Sequence, residues 1–127
     1  RVVEVARRHQ VPHFYIDSDG NFDALLPQML DVGMDIFMPT EVAAGMDPVA
    51  LRQRYGKRLR MIGGVDKRAV AAGRDAIRAE MEKLFPLMCE GGFIPKIDHS
   101  VSADISWDNF RYYMESLLAL HERCANR

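Results

Sequence analysis

The stretch Phe93-Ile94-Pro95-Lys96-Ile97-Asp98-His99-Ser100-Val101 decides the fold. The pair Gly91-Gly92 breaks the preceding helical pattern, and Phe93, Ile94 and Ile97 then read as a buried strand. The strand ends in Asp98 and His99, two groups able to move protons or bind a metal. Three earlier segments follow the same plan. Phe14-Tyr15-Ile16 runs into Asp17-Ser18-Asp19-Gly20, Ile36-Phe37-Met38 into Pro39-Thr40-Glu41, and Leu59 to Ile62 into Gly63-Gly64-Val65-Asp66. Each short apolar run stops at acidic, glycine or histidine residues, and a helical pattern comes next. Polar chemistry at the carboxyl ends of successive strands is how βα proteins build sites.

Working outward, the helices are legible from their caps and stripes. Arg1 to Gln10 reads as the end of a helix with Val2, Val5, Ala6 and His9 on one face. Pro12 stops it. Asp19 or Asn21 can cap the next helix, which carries Phe22, Leu25, Leu26, Met29 and Leu30, is kinked or restarted by Pro27, and ends at Gly33. Asp47-Pro48 is an N-cap followed by proline at the first helical position. Asp66 caps a short helix that stops near Gly73, and a longer one follows with Ala76, Ile77, Met81, Leu84, Leu87 and Met88 as its stripe. Ser106 caps the last helix, read with Trp107, Phe110, Met114, Leu117 and His121 on one face.

The order is therefore one helix, then a strand and its helix four times. Such alternation predicts an α/β fold with a parallel sheet and right-handed crossovers. The spacing of the units fits a (β/α)8 barrel of TIM type, of which four units supply half. Half a barrel leaves two strand edges unpaired. The expectation is a fragment of a larger barrel, or a chain that completes itself by association. A start inside a helical pattern, without an initiator Met, points to missing upstream residues.

Composition excludes several classes. The 127 residues carry a net charge of −1, which offers nucleic acid or an anionic membrane no electrostatic footing. No apolar run approaches the roughly 20 residues of a membrane span, and no signal peptide is recognisable. Cys89 and Cys124 are far apart with no CxxC pattern, so a reduced, cytoplasmic chain is expected.

Two motifs carry a resemblance. Gly63-Gly64-Val65-Asp66-Lys67 resembles the Gly-Asn-Leu-Asp-Pro stretch of uroporphyrinogen decarboxylases, and Asp98-His99-Ser100-Val101 resembles their late Gly-His-Gly-Val stretch. The likeness makes residues 1–127 the carboxyl-terminal half of such a barrel. It implies a carboxy-lyase of porphyrin biosynthesis acting on a tetrapyrrole without a cofactor. The family's late His carries over onto His99, while its porphyrinogen-holding Arg and Asp residues lie mainly in the amino-terminal half. The same superfamily contains cobalamin-dependent methyltransferases, which move a methyl group between a corrinoid protein and a thiol with the help of zinc. Their His-x-Cys pair would fall near Tyr15 and Asp17 and their late Cys near Asp98, and no Cys stands at either place. A zinc or other divalent site built from Asp17, Asp19, Glu41 and His99 is the form that alternative takes. A third reading is a non-catalytic half-barrel, whose partner is a second copy or the missing half.

The residues assigned to the site follow from this. His99 and Asp17 are the catalytic candidates; Gly63, Gly64, Asp66 and Asp98 are the substrate-binding ones. Asp17 and Asp19 are two apart, so on an extended backbone they point the same way. Asp98 and His99 are adjacent, so they point to opposite faces. Asp66 has a structural job as an N-cap. Gly63-Gly64 matches no phosphate-loop spacing and is read as a close backbone approach where the strand meets substrate.

Overall fold

The computed structural model describes residues 1–126. It is an α/β fold built on four parallel strands: β1 (Tyr15–Asp17), β2 (Ile36–Thr40), β3 (Arg60–Val65) and β4 (Phe93–Ile97). They lie side by side in chain order, β1-β2-β3-β4, so no crossover skips a neighbour. The helices are α1 (Val2–Arg8), α2 (Leu26–Asp31), α3 (Pro48–Tyr55), α4 (Lys67–Ala72), α5 (Arg74–Glu90) and α6 (Trp107–Ala125). No helix of the described residues is long and apolar enough to cross a membrane.

The caps behave as their chemistry requires. The Asp47 carboxylate accepts from the backbone N–H groups of Val49 (2.9 Å) and Ala50 (3.0 Å) and so starts α3, with Pro48 in its first turn. Asp66 accepts from Arg68 N–H at 2.9 Å and Ser106 Oγ from Asn109 N–H at 3.2 Å, starting α4 and α6. Pro27 does not kink a long helix. A 3-10 turn at Asp23–Leu25 comes first, and α2 begins with Pro27 in its opening turn, where a missing N–H costs nothing. β2 and β3 are both longer than their apolar runs, extending through Pro39 to Thr40 and through Gly63-Gly64 to Val65. The Met38–Pro39 peptide is cis, and the β2–β3 register shifts between Phe37 and Thr40.

One continuous core joins the sheet to the helices: Phe37, Met61, Phe93 and Ile97 from the strands meet Leu26, Leu51, Val70, Ile77, Met81, Leu84 and Leu117 from the helices. The opposite face of the sheet is open. Along β4, Phe93, Pro95 and Ile97 are buried while Ile94 is 60% exposed and Lys96 is exposed. Across the sheet Tyr15 is 53% exposed. The helices therefore cover one side of this sheet and leave the other bare.

Three helix-level expectations need correction. On α6 the buried residues are Tyr113, Leu117 and Leu120, and Trp107 stands in solvent. The residues 113, 117 and 120 also fit one helical face, and packing against α5 chose that face. On α1 the buried residue is Val3, while Val2 and Val5 are exposed. Cys89 and Cys124 are not free thiols but are joined, with an S–S distance of 2.03 Å. They lie 35 residues apart, yet both close the ends of neighbouring helices α5 and α6. The cysteine argument for a reducing compartment thereby falls away.

Candidate functional site

The exits of β1, β2 and β4 surround a cavity of about 250 Å³ lined by Asp17, Asp19, Met38, Pro39, Lys96, His99 and Ser100. Each element delivers its residues for a local reason. β1 ends at Asp17, and the next N–H, Ser18, still bonds the Met38 carbonyl at 2.8 Å, so the chain holds its direction before turning. Asp19 follows, and Gly20 turns with φ +75°, a conformation glycine adopts freely. On β4, Lys96 sits on the open face by strand alternation. Two residues on, the chain leaves the sheet and His99 opens toward the cavity.

Alternation separates Asp98 from His99, as the sequence predicts. Asp98 is completely buried. Its carboxylate accepts from Val42 N–H at 2.8 Å and Lys67 N–H at 3.2 Å, which ties the exit of β4 to the turn after β2 and to the start of α4. Burial pushes its pKa up, and the two backbone N–H groups oppose that by favouring the carboxylate. Asp98, assigned to substrate, faces the protein interior instead of the cavity.

The other assigned residues divide in the same way. Asp17, Asp19 and His99 line the cavity together. Glu41, assigned to a metal, does not: its carboxylate accepts from Gly20 N–H at 3.2 Å, and Asn21 Nδ2 donates to the Ala44 carbonyl at 3.0 Å nearby. These bonds lash the loop after β1 to the loop after β2 and so place Asp19. Asp66, assigned to substrate, is engaged by Arg68, whose guanidinium Nη2 donates to it at 2.7 Å and holds its carboxyl below the ordinary range. Gly63 and Gly64 also lie off the cavity. A Cβ on Gly64 (φ +71°) would stand 2.7 Å from Pro48 Cγ, and one on Gly63 (φ +115°) would stand 3.0 Å from Thr40 N. The close approach they permit is of β3 to β2 and to the start of α3, not to a ligand.

Among the described residues, no group of three or more His, Cys, Asp or Glu side chains is gathered closely enough to hold a metal ion. Asp17, Asp19 and His99 share the cavity wall without forming such a cluster. What the wall offers is two carboxylates, an ammonium and an imidazole within one small volume. That set can bind a carboxylate at one end and accept N–H donors at the other. Lys96, Met38 and Pro39 were not read as site residues from the sequence. The signal for Lys96 was present in the alternation of β4, where a charged residue two positions after Ile94 marks the uncovered face.

No protein-family model, no curated protein and no solved structure matches this chain.

Proposed function

We propose that this chain is half of a (β/α)8 barrel and that its cavity acts on a tetrapyrrole polycarboxylate in the manner of a uroporphyrinogen decarboxylase. The supporting observation is the convergence of Asp17, Asp19, Lys96 and His99 on one cavity at the strand exits. The strand order β1-β2-β3-β4 supports the half-barrel part of the reading. In it, Lys96 and His99 face a substrate carboxylate, and Asp17 and Asp19 accept pyrrole N–H groups.

The reaction breaks the bond between an acetate methylene and its carboxyl carbon. The electron pair flows into a pyrrole ring protonated beforehand, CO2 leaves, the exocyclic carbon takes up a proton, and the ring gives back the proton it had received. The ring itself receives the electrons, so no cofactor is required. His99 and Asp17 are the proton-carrying groups of the wall, and the protein's contribution is orientation and charge stabilisation. Anaerobic incubation with uroporphyrinogen tests this. Release of CO2 and coproporphyrinogen that disappears in His99→Ala supports it; no turnover by the wild type removes it.

The two carboxylates favour a second reading, corrinoid-dependent methyl transfer to a thiol. Asp17 and Asp19 would repel a tetracarboxylate but suit zinc or a harder divalent ion together with His99. Those three side chains would have to draw closer together than they stand. Elemental analysis separates the readings: a metal-free preparation that is indifferent to chelator eliminates the second.

A further inference from the structure

We propose that the groove between α3 and α5 binds a small aliphatic monocarboxylate, held by the buried guanidinium of Arg52. The groove has a volume of about 220 Å³ and shares no lining residue with the cavity at the strand exits. Both of its walls come from the middle of the chain. The proposal goes beyond the chemistry assigned to Asp17 and His99 and does not depend on it.

Arg52 is the residue that points to a ligand. It is only 8% exposed, yet it lines the groove. Its Nη2 donates to the Gly91 carbonyl at 3.1 Å and to the Gly92 carbonyl at 3.0 Å, in the turn between α5 and β4. The guanidinium therefore sits at the amino end of β4, away from His99. Glycine at both positions lets it lie against bare backbone: a Cβ on Gly92 would stand 3.3 Å from Nη2. These bonds satisfy carbonyls at a helix end, but they bring no negative charge. A guanidinium carries five N–H donors, two on each Nη and one on Nε. Nε and Nη1 are buried and have no partner among the described residues. A buried charge is costly unless it is paired, so this cation calls for an anion.

The rest of the groove narrows the class. Lys83 lines it too, but its ammonium is already engaged by Asp47 at 2.8 Å and Glu80 at 3.4 Å. Glu90 adds a carboxylate to the same wall. One unpaired cation beside a carboxylate suits a ligand with a single negative charge better than one with two, such as phosphate. Val49, Pro86 and Leu87 supply apolar wall for an alkyl body attached to that charge. Nε and Nη1 are covered, so the acid reaches them only as a neighbouring side chain turns aside. Gln53 and Glu90, exposed and on the same groove, are the long side chains able to do so. Glu90 is also the chain's own competitor for Arg52.

Titration of the full chain with butyrate, followed by calorimetry and by the arginine Nε–H signals in NMR spectra, decides the matter. Butyrate is expected to bind with a Kd of about 1–10 mM. It should move the Nε–H signal that Arg52→Met removes. Butyramide, similar in shape but uncharged, and inorganic phosphate should each bind about tenfold more weakly. Those two comparisons need no variant. Arg52→Met should weaken butyrate binding by about tenfold or more, with circular dichroism confirming the fold. Glu90→Gln leaves the bonds to Gly91 and Gly92 in place and, by removing a like charge, should tighten butyrate binding about threefold. A wild type that binds no butyrate up to about 100 mM overturns the proposal. So does butyramide or phosphate binding as tightly as butyrate, binding that survives Arg52→Met, or a Glu90→Gln variant that binds no better.

Discussion

The Asp98 carboxylate accepts a hydrogen bond from the Val42 N–H at 2.8 Å across 56 residues of chain. With the Lys67 N–H on its other oxygen, it joins three strand exits through one buried side chain. Asp98→Ala strands both N–H groups, and an unmade bond of this kind costs about 1–3 kcal/mol. Relief from burying the charge offsets part of the loss, so a drop of about 2 kcal/mol in urea unfolding is expected. Asp98→Asn keeps one acceptor oxygen and should lose roughly half as much. Equal stability of Asp98→Ala and wild type would show that the strand exits are held by other means.

Gly64 and Gly20 share nearly the same φ, +71° and +75°, but differ in space. A Cβ on Gly64 meets Pro48 at 2.7 Å, whereas one on Gly20 meets nothing within 4 Å. Gly20→Ala should therefore report the cost of positive φ alone, about 1 kcal/mol. Gly64→Ala should cost about 1–3 kcal/mol more, because β3 must move off α3. Chemical denaturation of the two variants side by side measures the difference.

Lys96 and His99 are exposed and line the cavity. Replacing either with Ala should leave stability within about 0.5 kcal/mol. Under the proposed chemistry, Lys96→Ala should mainly raise KM and His99→Ala mainly lower kcat, each by about 10-fold to 100-fold. Parallel losses of stability and turnover would place them in the scaffold instead of the site.

Asp66 and Asp98 set opposing pH dependences. The Arg68 hydrogen bonds hold the Asp66 pKa below its ordinary value. Its contribution is thus fully present above the unfolded carboxylate pKa of about 3.9 and is lost as pH falls through the lower folded value. Burial holds the Asp98 pKa up. Its share is present below about pH 3.9 and is lost as pH rises through the higher folded value. Asp66→Asn should flatten the fall in urea midpoint below about pH 4, and Asp98→Asn should raise stability near neutrality relative to its own acid limb. Midpoints collected from about pH 2.5 to 7 test both signs.

The strands and their order were legible because each is centred on a short apolar run followed by a helical pattern, although β2 and β3 run on past those apolar residues, and Asp47, Asp66 and Ser106 announce helix starts by their own hydrogen bonding. Strand parity set Asp98 and His99 on opposite faces, but not which of them faces inward, and Asp98, read as a substrate residue, is the buried one. Long-range packing was not legible. Nothing local says that Glu41 will bond Gly20, that Gly64 must clear Pro48, or that α6 will turn Tyr113 and not Trp107 toward α5. Burial there pushes the Tyr113 phenol up to about 12, a mark of an interior that the helical pattern alone assigned elsewhere.

The bond between Cys89 and Cys124 makes a ring of the chain, and β4, Lys96, His99 and Ser100 all lie within it. A protease that cuts the loop between Ser100 and Ile105 would open the ring without releasing either piece. Nicked protein should run as one species on a non-reducing gel and as two after dithiothreitol. The part of the molecule that bears His99 is thus tethered at both ends, independently of whether its backbone is whole.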